Sequence, residues 1–343
     1  MKIENKTPFL AEALPVMSHE GKAGLVVIVR GTFSVGADGA VAPADEPIPV
    51  AHGDEPGDSG KGLTAKWESD VVPFKPRGDI VLAGKAHAPG GRPAPWVDVT
   101  LRVGSLIKSL RIFGERKWVC DGKKLASTMT SPIPFLTMDL VPERAFGGMD
   151  MRTGGTCAEN PGGRGYFDQE VVEDPEKTFL PNIEDPKGLI RHWKDHPRPA
   201  GFGVVGKGCQ PRIGYLGTYD EKWEKERSPK PPADFRPDFH NAAQPDLQVP
   251  GYLKGDEEVE LVNLTPEGRL RFRLPGVRPA VTVTRADIEF LGWEAPQSTE
   301  PMEMRLDTLG LLPGENRFFL VWRGSCPVPN LGALEIREVL VQA

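Results

Sequence analysis

At 343 residues the chain is long enough for one large or two ordinary domains, and its 39 glycines and 35 prolines make up about a fifth of it, against about 12% in an average protein. Punctuation at that density excludes a fold of long helices and predicts short strands joined by shaped loops. A formal net charge of −6 argues against nucleic-acid binding, which needs clustered Lys and Arg, and no apolar run reaches the roughly 18 residues of a membrane-crossing helix.

The opening "MKIENKTPFLAEALPVMSHE" has no apolar core of the kind a secretory signal needs, so no export is expected. "GLVVIVRGTFSV" (Gly24–Val35) is β-branched and apolar and runs into the turn signal "GADG", which predicts a buried strand. "GDIVLAGKAHA" and "WVDVTLRVGSLIKSLRIFG" alternate apolar with polar residues. In the second, "VGSL" predicts a turn between strands Trp96–Val103 and Ile107–Phe113. Residues 1–141 therefore read as an N-terminal β region.

From 142 to 250 the periodicity disappears into Gly, Pro, Asn and Asp. One short charged helix is predicted near 218–227, with Thr218 and Glu221 as a capping box and "SPKPP" as its stop. Trp193, Phe202, Tyr215 and Trp223 in this segment need burial, so its loops are expected to pack across one continuous β structure rather than to link two domains. Residues 251–343 return to strands: "EVELVNL", "RLRFRLP", "AVTVTRADIEFLGW", "MEMRLDTLGL" and "RFFLVWRG". "LVNLTPEGRLRFRLP" predicts a hairpin turning at Pro266-Glu267 with Gly268 left-handed. Its expected register faces Val262 to Phe272 and Leu264 to Leu270, and sends Arg269, Arg271 and Arg273 to the opposite face. The fold class is mainly β: sandwich-like antiparallel sheets, a long loop-rich central segment and one short surface helix.

Several motifs tempt and fail on context. "GFGVVGKG" (Gly201–Gly208) fits G-x-G-x-x-G and nearly fits a phosphate-binding loop, but "HPRPA" before it and "CQPRIG" after it supply neither the strand nor the helix that such loops need. No nucleotide or other cofactor is expected. "AHGDEPGDSG" echoes two serine-protease signatures, yet His52 and Ser59 stand too close together in one Pro/Gly loop. His192 and His196 have metal-ligand spacing only on a helix, and Pro197 ends any helix there, so no metal site is expected. Cys120, Cys157, Cys209 and Cys326 are scattered without a CxxC. With no export signal they imply reduced thiols and a cytoplasmic location, and the sequons at Asn5 and Asn263 then carry no information.

The Gly-rich stretch "ERAFGGMDMRTGGTCAENPGGRGY" (Glu143–Tyr166) contains no nucleophile–base pair, so no catalytic residue is assigned. Arg144 and Arg164 are first read as donors to backbone carbonyls and carboxylates that fix the loop. A binding rim is the second reading and catalysis the third.

These stretches in this order resemble a bacterial family known as domain of unknown function 2169. The resemblance rests on "N-x-TPF" (Asn5–Phe9), "VVIVRGTF" (Val26–Phe33), "ESDVVPFKPRGDIVLAGKAHAPGG" (Glu68–Gly91), "ERAFGG", "NPGGRGY", "LPNIEDP" (Leu180–Pro186), "PAGFG", "GTYDEKW", "PADF" and "LTPEGRLRFRLPG" (Leu264–Gly276). It is weakest from Val277 on, and nothing is carried over there. The resemblance implies a cytoplasmic accessory protein of the type VI secretion system, encoded beside toxic effectors and the trimeric spike or its proline-alanine-alanine-arginine tip protein. It further implies an adaptor or chaperone that loads an effector, not an enzyme, with protein partners and with neither nucleic acid nor membrane. Glu143, Arg144, Phe146, Gly147, Gly148, Asn160, Arg164 and Asn182 are the candidate interaction residues. The alternative is a β-sandwich carbohydrate-active enzyme or sugar-binding module, suggested by seven Trp and many acidic residues. The effector, the binding surface and the oligomeric state are left open.

Overall fold

The computed structural model describes residues 1–18, 20–57, 65–120, 126–151, 153–168, 179–287, 297–328 and 334–342. Its principal strands, in chain order, are β1 (Lys2–Asn5), β2 (Leu10–Met17), β3 (Ala23–Val35), β4 (Gly78–Leu82), β5 (Trp96–Val103), β6 (Leu106–Phe113), β7 (Glu258–Val262), β8 (Arg269–Arg273), β9 (Ala280–Asp287), β10 (Gln297–Met302), β11 (Arg305–Leu312), β12 (Arg317–Pro327) and β13 (Leu334–Gln342). Among the described residues there is one α-helix, α1 (Glu221–Glu226). Ser59 and residues 288–293 of the predicted strand "AVTVTRADIEFLGW" lie outside the described residues.

Three sheets carry the fold. The largest runs Gln248–Val249, β4, β11, β12, β3, β2, with a further short strand, Val41–Pro43, also paired to β3. A five-stranded sheet runs Ile183–Glu184, β6, β5, β7, β8, and a four-stranded one runs β1, β13, β9, β10. Two pairings are parallel, β4 with β11 and β1 with β13, and the other strand pairs within these three sheets are antiparallel. The predicted hairpin of residues 96–113 forms as β5–β6, with Val103 opposite Leu106. In β5 the side chains alternate strictly, sending Val97, Val99, Leu101 and Val103 inward. In β3 burial is nearly continuous because both faces of the principal sheet are covered.

The two coverings differ. On one face Phe33 and Phe318 stack at 5.2 Å, and Phe272 of β8 stacks on Phe318 at 5.2 Å, joining the five-stranded sheet to the principal one. The other face is covered by chain without regular ladders, and there the strands carry charge. Arg30 of β3, Arg323 of β12, Asp307 and Thr308 of β11 and Asp79 of β4 form one buried row. Arg30 lies 3.8 Å above the Phe319 ring and donates to Asp70 at 2.6 Å. Arg323 pairs with Asp307 and donates to the Asp70 carbonyl at 2.8 Å. Asp79 accepts from Lys75 Nζ, Asn241 Nδ2 and the Ala242 N–H, each at 2.9 Å. The sheet thus supplies hydrogen-bond partners to a covering that has no ladder of its own.

Two details of the sequence reading are corrected. The helix is capped by Asp220, which accepts from the Trp223 N–H at 2.8 Å, and not by Thr218. Asp234 holds Thr218 through both its N–H and its hydroxyl, so the cap passes to an equally good residue two positions on. The β7–β8 hairpin pairs Val262 with Arg269 and Val259 with Phe272, three residues off the expected register. Asn263, at φ 56°, turns the chain early and donates to the Asp98 carbonyl, so Leu264 drops into the core instead of extending the strand. The Thr265–Gly268 turn, the left-handed Gly268 (φ 80°) and the exposed arginines are where the sequence places them.

Of the four central aromatics, Trp193 and Phe202 are buried, while Tyr215 and Trp223 are half-buried. Phe202, Val204, Ala242 and Ala243 belong to the main core. Phe146, Cys157, Leu180, Ile190, Trp193 and Trp118 make a second, smaller one.

Replacing Asp79 by Ala strands the Lys75 ammonium in the interior, and urea denaturation is expected to show a loss of about 3–5 kcal/mol. Replacing Lys75 as well, by Met, is expected to restore part of it.

Burial pushes the His240 imidazole down to about 4, helped by the positive charges of Arg323, Arg212, Lys75 and Lys207. A folded value below the ordinary one means that the unfolded chain takes up the proton first. Stability is therefore fully present above about pH 6.5 and falls as pH drops towards 4. Denaturation measured across that window is expected to lose up to one proton's worth of slope, about 1.4 kcal/mol per pH unit, in His240→Asn.

Candidate functional site

Glycine, asparagine and arginine build the Glu143–Tyr166 loop into a fixed object. Phe146–Gly147 pairs in parallel with Arg164–Gly165, which brings the two ends of the stretch side by side. Gly147 sits at φ 151°, and a Cβ there would lie 2.1 Å from the Asn160 carbonyl, so only glycine fits. The Asn160 amide donates to the carbonyls of Pro142 (2.8 Å) and Phe146 (3.0 Å), and its own carbonyl accepts from the Gly148 N–H at 2.9 Å. Glu115 receives both arginines, Arg144 on one oxygen and Arg164 on the other, each at 2.9 Å. Burial pulls the Arg164 guanidinium down; Glu115 opposes this and nearby Arg144 reinforces it. Arg144 also reaches Asn182 Oδ1 at 3.1 Å, and the Asn182 amide donates to the Phe113 carbonyl at 3.0 Å, tying the loop to the end of β6.

The eight candidate residues are thus brought together, in structural work. Phe146 and Asn182 are buried to 3% and 0% exposure, Asn160 to 5%, and Arg164 reaches the Glu143 carbonyl at 3.4 Å. The tempting motifs are also placed. Residues 199–208 form no helix and only an isolated bridge at Val204, and Lys207 is clamped to Asp54 at 2.7 Å. His52 pairs with Glu12. His192 opens a turn closed by the Asp195 N–H, and His196, beyond that turn, bonds the Phe167 carbonyl at 3.0 Å beside the rings of Phe146 and Tyr166. Among the described residues, no three His, Cys, Asp or Glu side chains gather as a metal-binding set, and no helix is long and apolar enough to cross a membrane.

Beside the locked loop opens a cleft of about 600 Å³. Leu140–Pro142, Ala145, Glu159 and Asn160 line it together with Arg198–Gly201, Gly203–Gly206 and Cys209–Pro211, and Lys108, Asp185, Tyr215 and Gln244–Asp246 complete the lining. Four of the motif stretches reach it: Ala145 of "ERAFGG", Asn160 of "NPGGRGY", Asp185 of "LPNIEDP" and the whole of "PAGFG" except Phe202, which turns into the core.

Sequence reasoning missed Lys108. Its side chain is 9% exposed and donates to Asp246 at 2.7 Å. Burial pushes its ammonium down, and the Asp246 and Asp185 carboxylates push it back up. The signal was available: in "LIKSLRIF" the inward positions of β6 include Leu110 and Ile112, and Lys108 stands on the same face.

A family profile matches residues 20–323, and the family is described as "Uncharacterized protein conserved in bacteria (DUF2169)". No curated protein and no solved structure matches the chain. The matched region runs past Gly276 and so takes in β11 and most of β12, beyond the reach of the motif resemblance.

Glu115→Ala leaves two like charges facing each other without their shared carboxylate. Calorimetry is expected to show a loss of about 1–2 kcal/mol, larger than for Arg144→Ala or Arg164→Ala alone.

Proposed function

The chain belongs to the DUF2169 family, and on that footing we propose that it is a non-catalytic adaptor of type VI secretion. In this reading it acts in the cytoplasm and binds a cognate toxin or a spike or tip component by stoichiometric contact until loading. The observation that carries the reading is the convergence of the four motif stretches on one cleft. Residues that bear the family resemblance line a recess, and Arg144 and Arg164 are occupied in fixing the loop beside it. Loops held on a rigid sheet scaffold are the usual place for recognition, and about 600 Å³ lies within the range of ligand-receiving clefts.

Gly203 adds support. It lines the cleft, its φ lies outside the left-handed region, and a Cβ built on it meets nothing within 4 Å. Neither backbone conformation nor internal packing asks for glycine there. The space it leaves belongs to the cleft.

Co-expression with the products of neighbouring genes is expected to yield a stoichiometric complex burying about 1,200–2,000 Å². Gly203→Trp is expected to abolish co-purification at an unchanged melting temperature. Failure of every product of the gene cluster to co-purify, together with release of sugar from a polysaccharide, would replace the adaptor with the carbohydrate-active alternative.

A further inference from the structure

The cleft has a neighbour. A smaller hollow of about 150 Å³ shares Leu140, Val141, Pro142 and Gly203 with it, so the two adjoin along a mainly apolar border. A groove of this form fits an extended chain segment better than a rounded small molecule.

The lining around Lys108 is electrostatically lopsided. Lys108 is the buried cation there, and it is already engaged by Asp246, whose own side chain is 61% exposed. Asp185, also exposed, acts on the same ammonium, so two carboxylates share one positive charge. Asp185 Oδ1 accepts the Lys187 N–H at 2.8 Å, which leaves most of that carboxylate's acceptor capacity open. Glu159, also in the lining, has Arg198 at 3.9 Å, but Arg198 is 91% exposed and its charge is largely spent on water. The lining therefore offers anionic oxygens, while its one buried cation is satisfied.

Resting on the adaptor reading of this cleft, we infer that the groove takes an extended segment of the protein partner that places a Lys or Arg side chain between Asp185 and Asp246, with apolar residues lying along Leu140–Pro142. Lys108 holds Asp246 in position by its buried ion pair. The partner's cation meets the outward side of that carboxylate and the open side of Asp185.

The test is selection of a displayed library of random linear peptides on the wild-type protein, with removal of every clone that also binds Gly203→Trp. The surviving peptides are expected to be enriched in Lys or Arg beside apolar residues. Their affinity is expected to fall roughly tenfold in Asp185→Asn/Asp246→Asn and to weaken as salt is raised. Enrichment of acidic or uncharged peptides, survival of no peptide, or basic peptides that bind the double variant unchanged would each overturn the inference. The two readings fail separately. A partner that co-purifies and is lost in Gly203→Trp, with no basic preference in the library, retains the adaptor and removes the basic segment. Basic peptides in the groove, with no gene-cluster product co-purifying, do the reverse.

Discussion

Buried charge is the constraint around which this protein is arranged. A sheet face covered by irregular chain has a difficulty that a sheet face covered by another sheet does not. The covering backbone has many N–H and C=O groups and no ladder to receive them. Arg30, Asp79, Arg323 and Asp307 resolve it by placing paired acidic and basic side chains where the ladder is missing. Asp79 receives a backbone N–H, an amide and an ammonium; Arg323 donates to a carbonyl; Asp70 accepts from the Ala51 N–H as well as from Arg30. Each such charge is costly to bury alone, so the covering segments are fixed as firmly as the strands.

The same device recurs outward. Arg212 holds Glu68 through two bonds and also donates to the carbonyls of Val205 and Phe239, pinning one wall of the cleft to the segment that covers the sheet. Arg116 pairs with buried Glu184, whose carboxyl burial pushes up against the pull of that guanidinium, and the other Glu184 oxygen accepts the Ile190 N–H. Glu115 with its two arginines fixes the loop beside the cleft. The cleft is therefore shaped before anything enters it, which lowers the ordering entropy that binding has to offset.

Legibility in the sequence followed the range of the interactions. The β-branched run at Val26–Val29 and the alternation of Trp96–Val103 are local patterns with one structural solution, and both strands form where the pattern puts them. The hairpin at Leu264 was misread because the register is decided by one residue, Asn263, whose left-handed turn depends on Asp98 in another strand. Thr218 lost its capping role to a contact with Asp234, equally invisible to a local pattern. The candidate loop residues were recognisable as a group, and the first of the three readings of Arg144 and Arg164 describes their contacts. That one of them, Asn160, lines a cleft together with Pro199–Gly201 depends on the folded chain. Lys108 was legible too, as a charge on an inward strand position.

The order of strands in the principal sheet sets a condition on how the chain reaches this form. β3, one of the most apolar segments, lies between β2 and β12, and β12 comes from almost the other end of the chain. On the ribosome, β3 emerges about 290 residues before the strand that covers one of its edges. Until β12 has been made, "GLVVIVRGTF" offers an open β edge of high sheet propensity, a segment prone to pairing with another copy of itself. Pairing across such a sequence distance is also slow. Loss of β12 would leave that edge of β3 bare, so a chain cut before it would be prone to aggregate rather than to fold as a smaller unit.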